Sequence, residues 1–321
     1  MRYVAADTTK QISRIGLGTW QFGSREWGYG TEYVKRAEQI VRRALEVGVT
    51  LFDTAELYSF GNSERILGAA LGDDRERVFL ATKIFPVLPT APVVQQRAVA
   101  SAGRLGVRSL DLYQVHQPNP VVRDRTTMRG MRVLQDIGLV KQVGVSNYSL
   151  KRWRMAEAWL GRPVLSNQVS YSIAHRRAED DLLPYAEQHG RLVIAYSPLS
   201  QGFVSGRYDA KHPPSGAVRR ANPLFLPENL ERGAHLLATL REVADAHQVT
   251  PSQIALAYVL RNPSVVAIPG ASSVEQVERN AEAADLDLTD DEYAALNRAA
   301  REFTPVTGLA AVPGLIRARR R

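Results

Sequence analysis

Short apolar runs alternate with amphipathic helical segments along this chain of 321 residues, and that alternation constrains its fold more than any other feature. Residues 32–48 place Ala37, Ile40, Val41, Ala44 and Leu45 at helical spacing, and Gly48 ends the segment. Residues 49–53 then form a short apolar run closing on a carboxylate, which predicts a buried strand. The pattern repeats with helix 62–71, Asn62 being a candidate cap, then strand 78–83, helix 92–105 and strand 110–116. Helix 126–137 precedes strand 140–145, helix 150–160 precedes strand 164–168, and helix 178–189 precedes strand 192–196. A helix near 229–246 follows, and helix 251–261 has Pro251 at its first position. Strand 264–268 and helix 273–283 complete the series, and with residues 15–18 as the first strand it contains eight strand-then-helix units. Eight such units predict a single α/β domain over residues 1–321, a (β/α)8 TIM barrel. Its core spans about residues 12–300, with extra loops and helices at the carboxyl-terminal side and a terminal loop and basic tail over 301–321.

Other folds and chemistries are excluded by what the chain lacks. A dinucleotide fingerprint would need glycine at position 21 after Gly16 and Gly18, but Gln21 stands there. No cysteine is present, so disulfides, thiolate metal sites and cysteine nucleophiles drop out, and no metal site is expected. No run approaches the roughly 20 apolar residues that span a bilayer, and the start of the chain has no signal-peptide core, which predicts a cytoplasmic protein with no membrane partner. The net charge of +8 is spread over many segments, which argues against a nucleic-acid partner; its densest run, Ile316-Arg-Ala-Arg-Arg-Arg321, reads as a solvated tail. Monomer and homo-oligomer stay equally open. Residues 206–228, rich in Gly, Pro and Arg, read as an irregular loop.

In a parallel barrel the active site lies at the carboxyl ends of the strands. Here those ends are polar: Asp53, Lys83, His116, Gln168 and Tyr196 end strands, and Ser146-Asn147 and Pro269-Gly270 follow them. Taken singly, Asp53 is as readily a helix cap, His116 a structural histidine and Lys83 a solvated rim residue. Together they suggest one site. Tyrosine holds its proton with a pKa near 10, too tightly for an efficient acid at neutral pH. A neighbouring ammonium lowers that value, and a carboxylate keeps the ammonium in place. Tyr58, Lys83 and Asp53 suit that relay, and His116 suits a donor to a carbonyl oxygen.

The chain at this point resembles the aldo-keto reductases over roughly residues 12–300. The motifs are Gly16-Leu-Gly-Thr-Trp20, Leu51-Phe-Asp-Thr-Ala-Glu-Leu-Tyr58, Asn62-Ser-Glu-Arg-Ile-Leu-Gly68, Thr82-Lys83, His116, Val143-Gly-Val-Ser-Asn147, Asn167-Gln168, Tyr196-Ser-Pro-Leu199 and Ile268-Pro-Gly-Ala-Ser272. The resemblance implies reduction of an aldehyde or ketone to an alcohol by NADPH, with NADH the lesser choice, and a catalytic tetrad of Asp53, Tyr58, Lys83 and His116. It places Ser146, Asn147 and Gln168 at the nicotinamide carboxamide, Tyr196 against the ring, and Gly18, Thr19 and Trp20 at the mouth beside the cofactor. It also places Ser197 and Pro198 at the cofactor, and Leu199, Gln201, Gly202 and Arg207 correspond to the segment over the pyrophosphate, where a guanidinium suits phosphate. Ile268, Gly270, Ser272, Gln276, Arg279 and Asn280 correspond to the adenosine 2′-phosphate site at a helix start. Many members carry lysine at the position of Gly270 and arginine at that of Gln276, so the cationic clamp is thin here and Arg279 is the remaining candidate.

The substrate wall is expected among aromatic residues near the first and third strand ends, Trp20, Phe22, Trp27, Tyr29 and Phe85, with Tyr58 and His116. The family's terminal loop, here 304–309, is expected to complete the pocket, while Trp153 and Trp159 read as packing or surface residues. The substrate is a small carbonyl compound whose identity stays open. A competing reading is a regulatory subunit similar to potassium-channel β-subunits, which keep the tetrad; the start of the barrel by about residue 12, with no long regulatory segment before it, counts against it. A metal-dependent barrel hydrolase would need more His and carboxylate ligands at the strand ends than Asp53 and His116 supply.

Overall fold

The structure is a computed structural model that describes residues 1–24, 33–85, 87–214 and 216–319. An amino-terminal antiparallel pair, β1 (Tyr3–Val4) and β2 (Ile12–Ser13), precedes eight parallel strands. These are β3 (Leu17–Gly18), β4 (Leu51–Asp53), β5 (Phe79–Ile84), β6 (Leu110–Val115), β7 (Val140–Ser146), β8 (Ser166–Ser170), β9 (Leu192–Tyr196) and β10 (Val265–Ala267), each paired with the next. The Gly16 N–H donates to the Ala267 carbonyl at 2.8 Å, and the Ala267 N–H donates to Arg14 at 2.9 Å, so the first and last strands meet and the sheet closes into a (β/α)8 barrel. Gly18 is needed at that seam, because a Cβ there would lie 2.7 Å from the Ile268 carbonyl oxygen.

Helices α1 (Tyr33–Glu46), α2 (Asn62–Leu71), α3 (Ala91–Leu105), α4 (Asp124–Asp136), α5 (Leu150–Leu160) and α6 (Leu182–His189) follow successive strands. After β9 come α7 (Ala217–Arg220), α8 (Pro227–Arg232), α9 (Ala234–His247) and α10 (Pro251–Val259); α11 (Val274–Glu282), α12 (Asp290–Glu302) and α13 (Val312–Arg319) follow β10. The strands' outward apolar residues, such as Phe52, Leu80, Tyr113 and Val145, join the helices in the main core. Inward residues Leu51, Phe79, Ala81, Leu112, Leu192, Ile194 and Val266 form a second core inside the barrel, and Ile12 of β2 seals its amino-terminal end.

The two-residue period of the strands explains where the polar ends point. Leu51 and Phe79 face inward, so Asp53 and Lys83 do as well; Leu112 faces inward, so Gln114 and His116 follow. Register sets their heights: Asp53 pairs with Ala81 and Lys83 pairs with Gln114, so Asp53, Lys83 and His116 rise as a staircase, one inward residue per strand. This is the stagger that closes a barrel.

Several elements differ from the expectations. The amino-terminal pair and α12 have no counterpart in the sequence reading, and the segment expected near 229–246 is split into α8 and α9 at Gly233. Asn62 does not cap α2; the cap position is Gly61, in left-handed backbone at φ 82° and without a side-chain hydrogen bond. The loop 206–228 contains α7, and residues 312–319 near the end of the chain form α13. Trp153 is a core residue, its indole N–H donating to the Val164 carbonyl at 3.2 Å. Among the described residues, no helix is long and apolar enough to cross a membrane.

Candidate active site

Asp53 and Lys83 are both sealed from solvent, and the ammonium lies 2.5 Å from Asp53 Oδ1. Lys83 Nζ also donates to the Thr54 carbonyl at 2.8 Å and to the Tyr58 hydroxyl at 3.3 Å, and it lies 4.9 Å from the centroid of the Tyr58 ring. The second carboxylate oxygen of Asp53 accepts from Gln168 at 2.8 Å and Gln114 at 3.4 Å. Both oxygens of the buried carboxylate therefore meet donors, as a buried charge requires. The His116 ring meets Tyr58 edge-on at 5.6 Å, and its Nδ1 is buried without a hydrogen-bond partner. Because His116 also lines the cleft, Nε2 is the ring nitrogen left to serve it.

Burial pushes the Tyr58 phenol above its ordinary pKa; the Lys83 ammonium pulls it down, Asp53 pushes it up, and the net direction is upward. The sequence reading expected the ammonium to win, but loss of water around a phenolate weighs more. Burial disfavours the Lys83 ammonium, yet the Asp53 carboxylate and Tyr58 outweigh it and hold its pKa above the usual value. His116 is pushed down to about 3, by burial first and then by Lys83, so its imidazole is neutral.

Asp53, Tyr58 and His116 line a cleft of about 1320 Å³, with Lys83 buried behind them. It is also lined by Gly18, Thr19, Trp20, Ser146, Asn147, Gln168 and Tyr196, by Ser197, Pro198, Leu199, Gln201, Gly202 and Arg207, and by Ile268, Gly270, Ser272, Gln276, Arg279 and Asn280. Asn147 adopts left-handed backbone (φ 61°), which asparagine tolerates; its amide donates to Ser146 Oγ at 3.0 Å and accepts from the Tyr196 hydroxyl at 3.0 Å. Ser272 already donates its backbone N–H and its hydroxyl to Gln276 Oε1, at 2.8 and 3.1 Å. A side chain at position 270 would collide with the amide of Gln21, which lies over Gly270.

The aromatic wall needs correction. Phe22 is fully buried in the core and does not line this cleft, and Phe85 stands outside the cleft lining with its ring edge-on to His116 at 6.3 Å. Trp27 and Tyr29 lie outside the described residues. Leu57, Ser59 and Phe60 line the mouth instead, signalled only by their closeness to Tyr58. The 304–309 loop does not line this cleft; Pro305 and Thr307 line an adjoining cavity of about 280 Å³ that shares Tyr196, Ser197 and Gln201. Arg219 was also missed: it lines the cleft from α7 and donates to the Gln201 carbonyl at 2.9 Å, but its helix lies within the segment read as irregular.

A closed parallel barrel whose strand ends bring a tyrosine, an ammonium and a neutral imidazole together beside a cleft is the arrangement that the comparisons with known proteins place in a family. The model of the aldo/keto reductase family matches residues 14–301. The chain is 57% identical to Rv2298, an uncharacterized oxidoreductase of Mycobacterium tuberculosis, over 96% of this chain and 95% of that protein. It is 33% identical to the methylglyoxal reductase YeaE of Escherichia coli, over 90% and 91%. A solved aldo/keto reductase of Klebsiella pneumoniae, in complex with NADP and acetate, superposes with a TM-score of 0.76 at 30% identity, covering 92% of this chain and 94% of that one. The chain belongs to the aldo/keto reductase family and is an oxidoreductase.

Proposed function

We propose that this protein, acting as one domain in the cytoplasm, reduces an aldehyde or ketone to an alcohol with NADPH, and that Tyr58 delivers the proton. The observation that carries the reading is the Lys83 ammonium, which bridges Asp53 at 2.5 Å and the Tyr58 hydroxyl at 3.3 Å beside a neutral His116.

The cleft fits the cofactor. Its volume suits a dinucleotide, and Gly18, Arg207 and Arg279 are among the residues that line it. Ser146, Asn147 and Gln168 would hold the carboxamide, with Tyr196 against the nicotinamide. Leu199, Gln201, Gly202 and Arg207 would hold the pyrophosphate, and Ser272, Gln276, Arg279 and Asn280 the adenosine end. The Klebsiella relative in complex with NADP supports this choice. When bound, NADPH supplies the hydride.

The chain's own residues do the rest. Burial keeps the Tyr58 proton in place until an oxygen gains negative charge beside it. Tyr58 then transfers that proton, and the Lys83 ammonium stabilises the phenolate left behind. Asp53 keeps Lys83 charged, while the neutral His116 donates one N–H to the carbonyl oxygen and orients it. Acid catalysis of this kind contributes about 10²–10⁴ in rate. The test is turnover of purified protein with NADPH and a panel of aldehydes and ketones; NADPH binding without turnover on any of them would contradict the reading.

A further inference from the structure

Behind the catalytic tyrosine lie two buried carboxylates, Glu56 and Glu64, with guanidinium partners, that the reaction itself does not use. Glu56 sits inside the tight turn closed by the Tyr58 N–H, which donates to the Ala55 carbonyl at 3.1 Å. Its side chain does not line the cleft; it is buried, and Oε1 accepts from the Phe85 backbone N–H at 2.5 Å and from Arg97 Nη1 at 2.7 Å. Phe85 belongs to the segment following β5, and its ring stands edge-on to His116. One carboxylate therefore ties the turn that carries the proton donor to the segment that flanks the imidazole.

A second acid works beside it. Glu64 accepts from Thr82 Oγ1 at 2.6 Å, one residue before Lys83, and pairs with Arg104. Arg104 packs so closely under Gly61 that a Cβ there would lie 2.7 Å from its Cδ. Two carboxylates and two guanidinium groups thus hold the 55–61 turn from below with no net charge. Buried charges of this kind need their partners, because one left alone costs far more than an exposed charge. The charged groups that shift the Tyr58 pKa are Lys83 and Asp53, whereas Glu56 meets the turn's surroundings through the Phe85 amide and Arg97, that is, through geometry.

We propose that Glu56 is a positioning residue: held by the Phe85 amide and Arg97, it fixes the spacing between Tyr58 and His116 that proton delivery needs. The inference rests on the reading of Tyr58 as proton donor. A misplacement of about 1 Å costs on the order of a hundredfold in rate, which sets the expected size of the effect.

The experiment measures kcat, KM, NADPH affinity, the pH profile and the folded fraction of full-length Glu56→Ala, Glu56→Gln and Arg97→Ala with an aldehyde that the wild type reduces. Glu56→Ala is expected to lose about a hundredfold in kcat, while KM and NADPH affinity change by less than about threefold and the alkaline limb of the profile stays in place. Glu56→Gln keeps an acceptor for the Phe85 amide and is expected to recover most of that rate. Arg97→Ala, at a half-exposed position, is expected to fold and to fall between the two. Wild-type kcat in folded Glu56→Ala overturns the inference, as does parallel loss of kcat, NADPH affinity and folded fraction, a shifted alkaline limb, or a Gln variant no better than Ala. If Glu56→Ala does not fold, wild-type kcat in Arg97→Ala overturns it instead. An inactive wild type, or a fully active Tyr58→Phe, refutes the functional reading and is distinguishable from all of these.

Discussion

Lys83 Nζ lies 2.5 Å from Asp53 Oδ1 with both side chains out of contact with solvent, so each charge depends on the other for the interactions that water would have supplied. Lys83→Met is expected to destabilise the fold by about 3–5 kcal/mol, because it strands a buried carboxylate. Urea unfolding checks this, and the double variant Asp53→Asn with Lys83→Met is expected to recover much of the loss.

Acid should act on His116. Its pKa is about 3 in the folded protein against about 6.5 unfolded, lowered by burial and then by Lys83. The unfolded chain therefore binds the extra proton between those values. The contribution to stability is fully present above about pH 6.5 and is lost as pH falls toward 3, by at most about 1.4 kcal/mol per pH unit. Unfolding curves between pH 4 and pH 7 should be less acid-sensitive in His116→Gln than in the wild type, and activity should show no His116 step near pH 6.5.

Much of this site was legible because barrel geometry turns sequence position into spatial position. Asp53, Lys83 and His116 end strands of known period, so the chain alone brings them to one mouth. The direction of the Tyr58 pKa was not legible, since it depends on how much water the folded mouth admits. Phe22 went wrong for a related reason: aromatic side chains near a strand end suit a pocket or a core equally, and here the core took it. Helix α12 was readable but passed over, since Thr289 and Glu292 form a capping box before the buried Leu296, Ala299 and Ala300. Arg219 and Glu56 act through contacts between distant segments, which spacing does not reveal.

Cofactor preference should respond to two positions. Arg279→Ala is expected to weaken NADPH binding about tenfold with little change for NADH, as loss of one phosphate contact implies. Gln276→Arg should widen the preference for NADPH. Fluorescence titration with both nucleotides reads each effect, and equal changes for the two would place these residues away from the 2′-phosphate.

Gly144 faces the barrel interior, where a Cβ would lie 2.5 Å from Ser166 Oγ and 2.8 Å from Gln114 Cγ. Gly144→Val is expected to cost about 1–3 kcal/mol through overpacking. It should also lower kcat, because Gln114 donates to Asp53 at 3.4 Å. Thermal unfolding and turnover together check the pair of effects.

The proposed role of Tyr58 as proton donor gives the most direct measurement. Tyr58→Phe removes a hydroxyl that Lys83 contacts at 3.3 Å and leaves the ring in place. Steady-state reduction of an aldehyde should fall by about 10²–10⁴ while NADPH affinity stays near that of the wild type. A Tyr58→Phe enzyme that turns over at the wild-type rate would contradict the account.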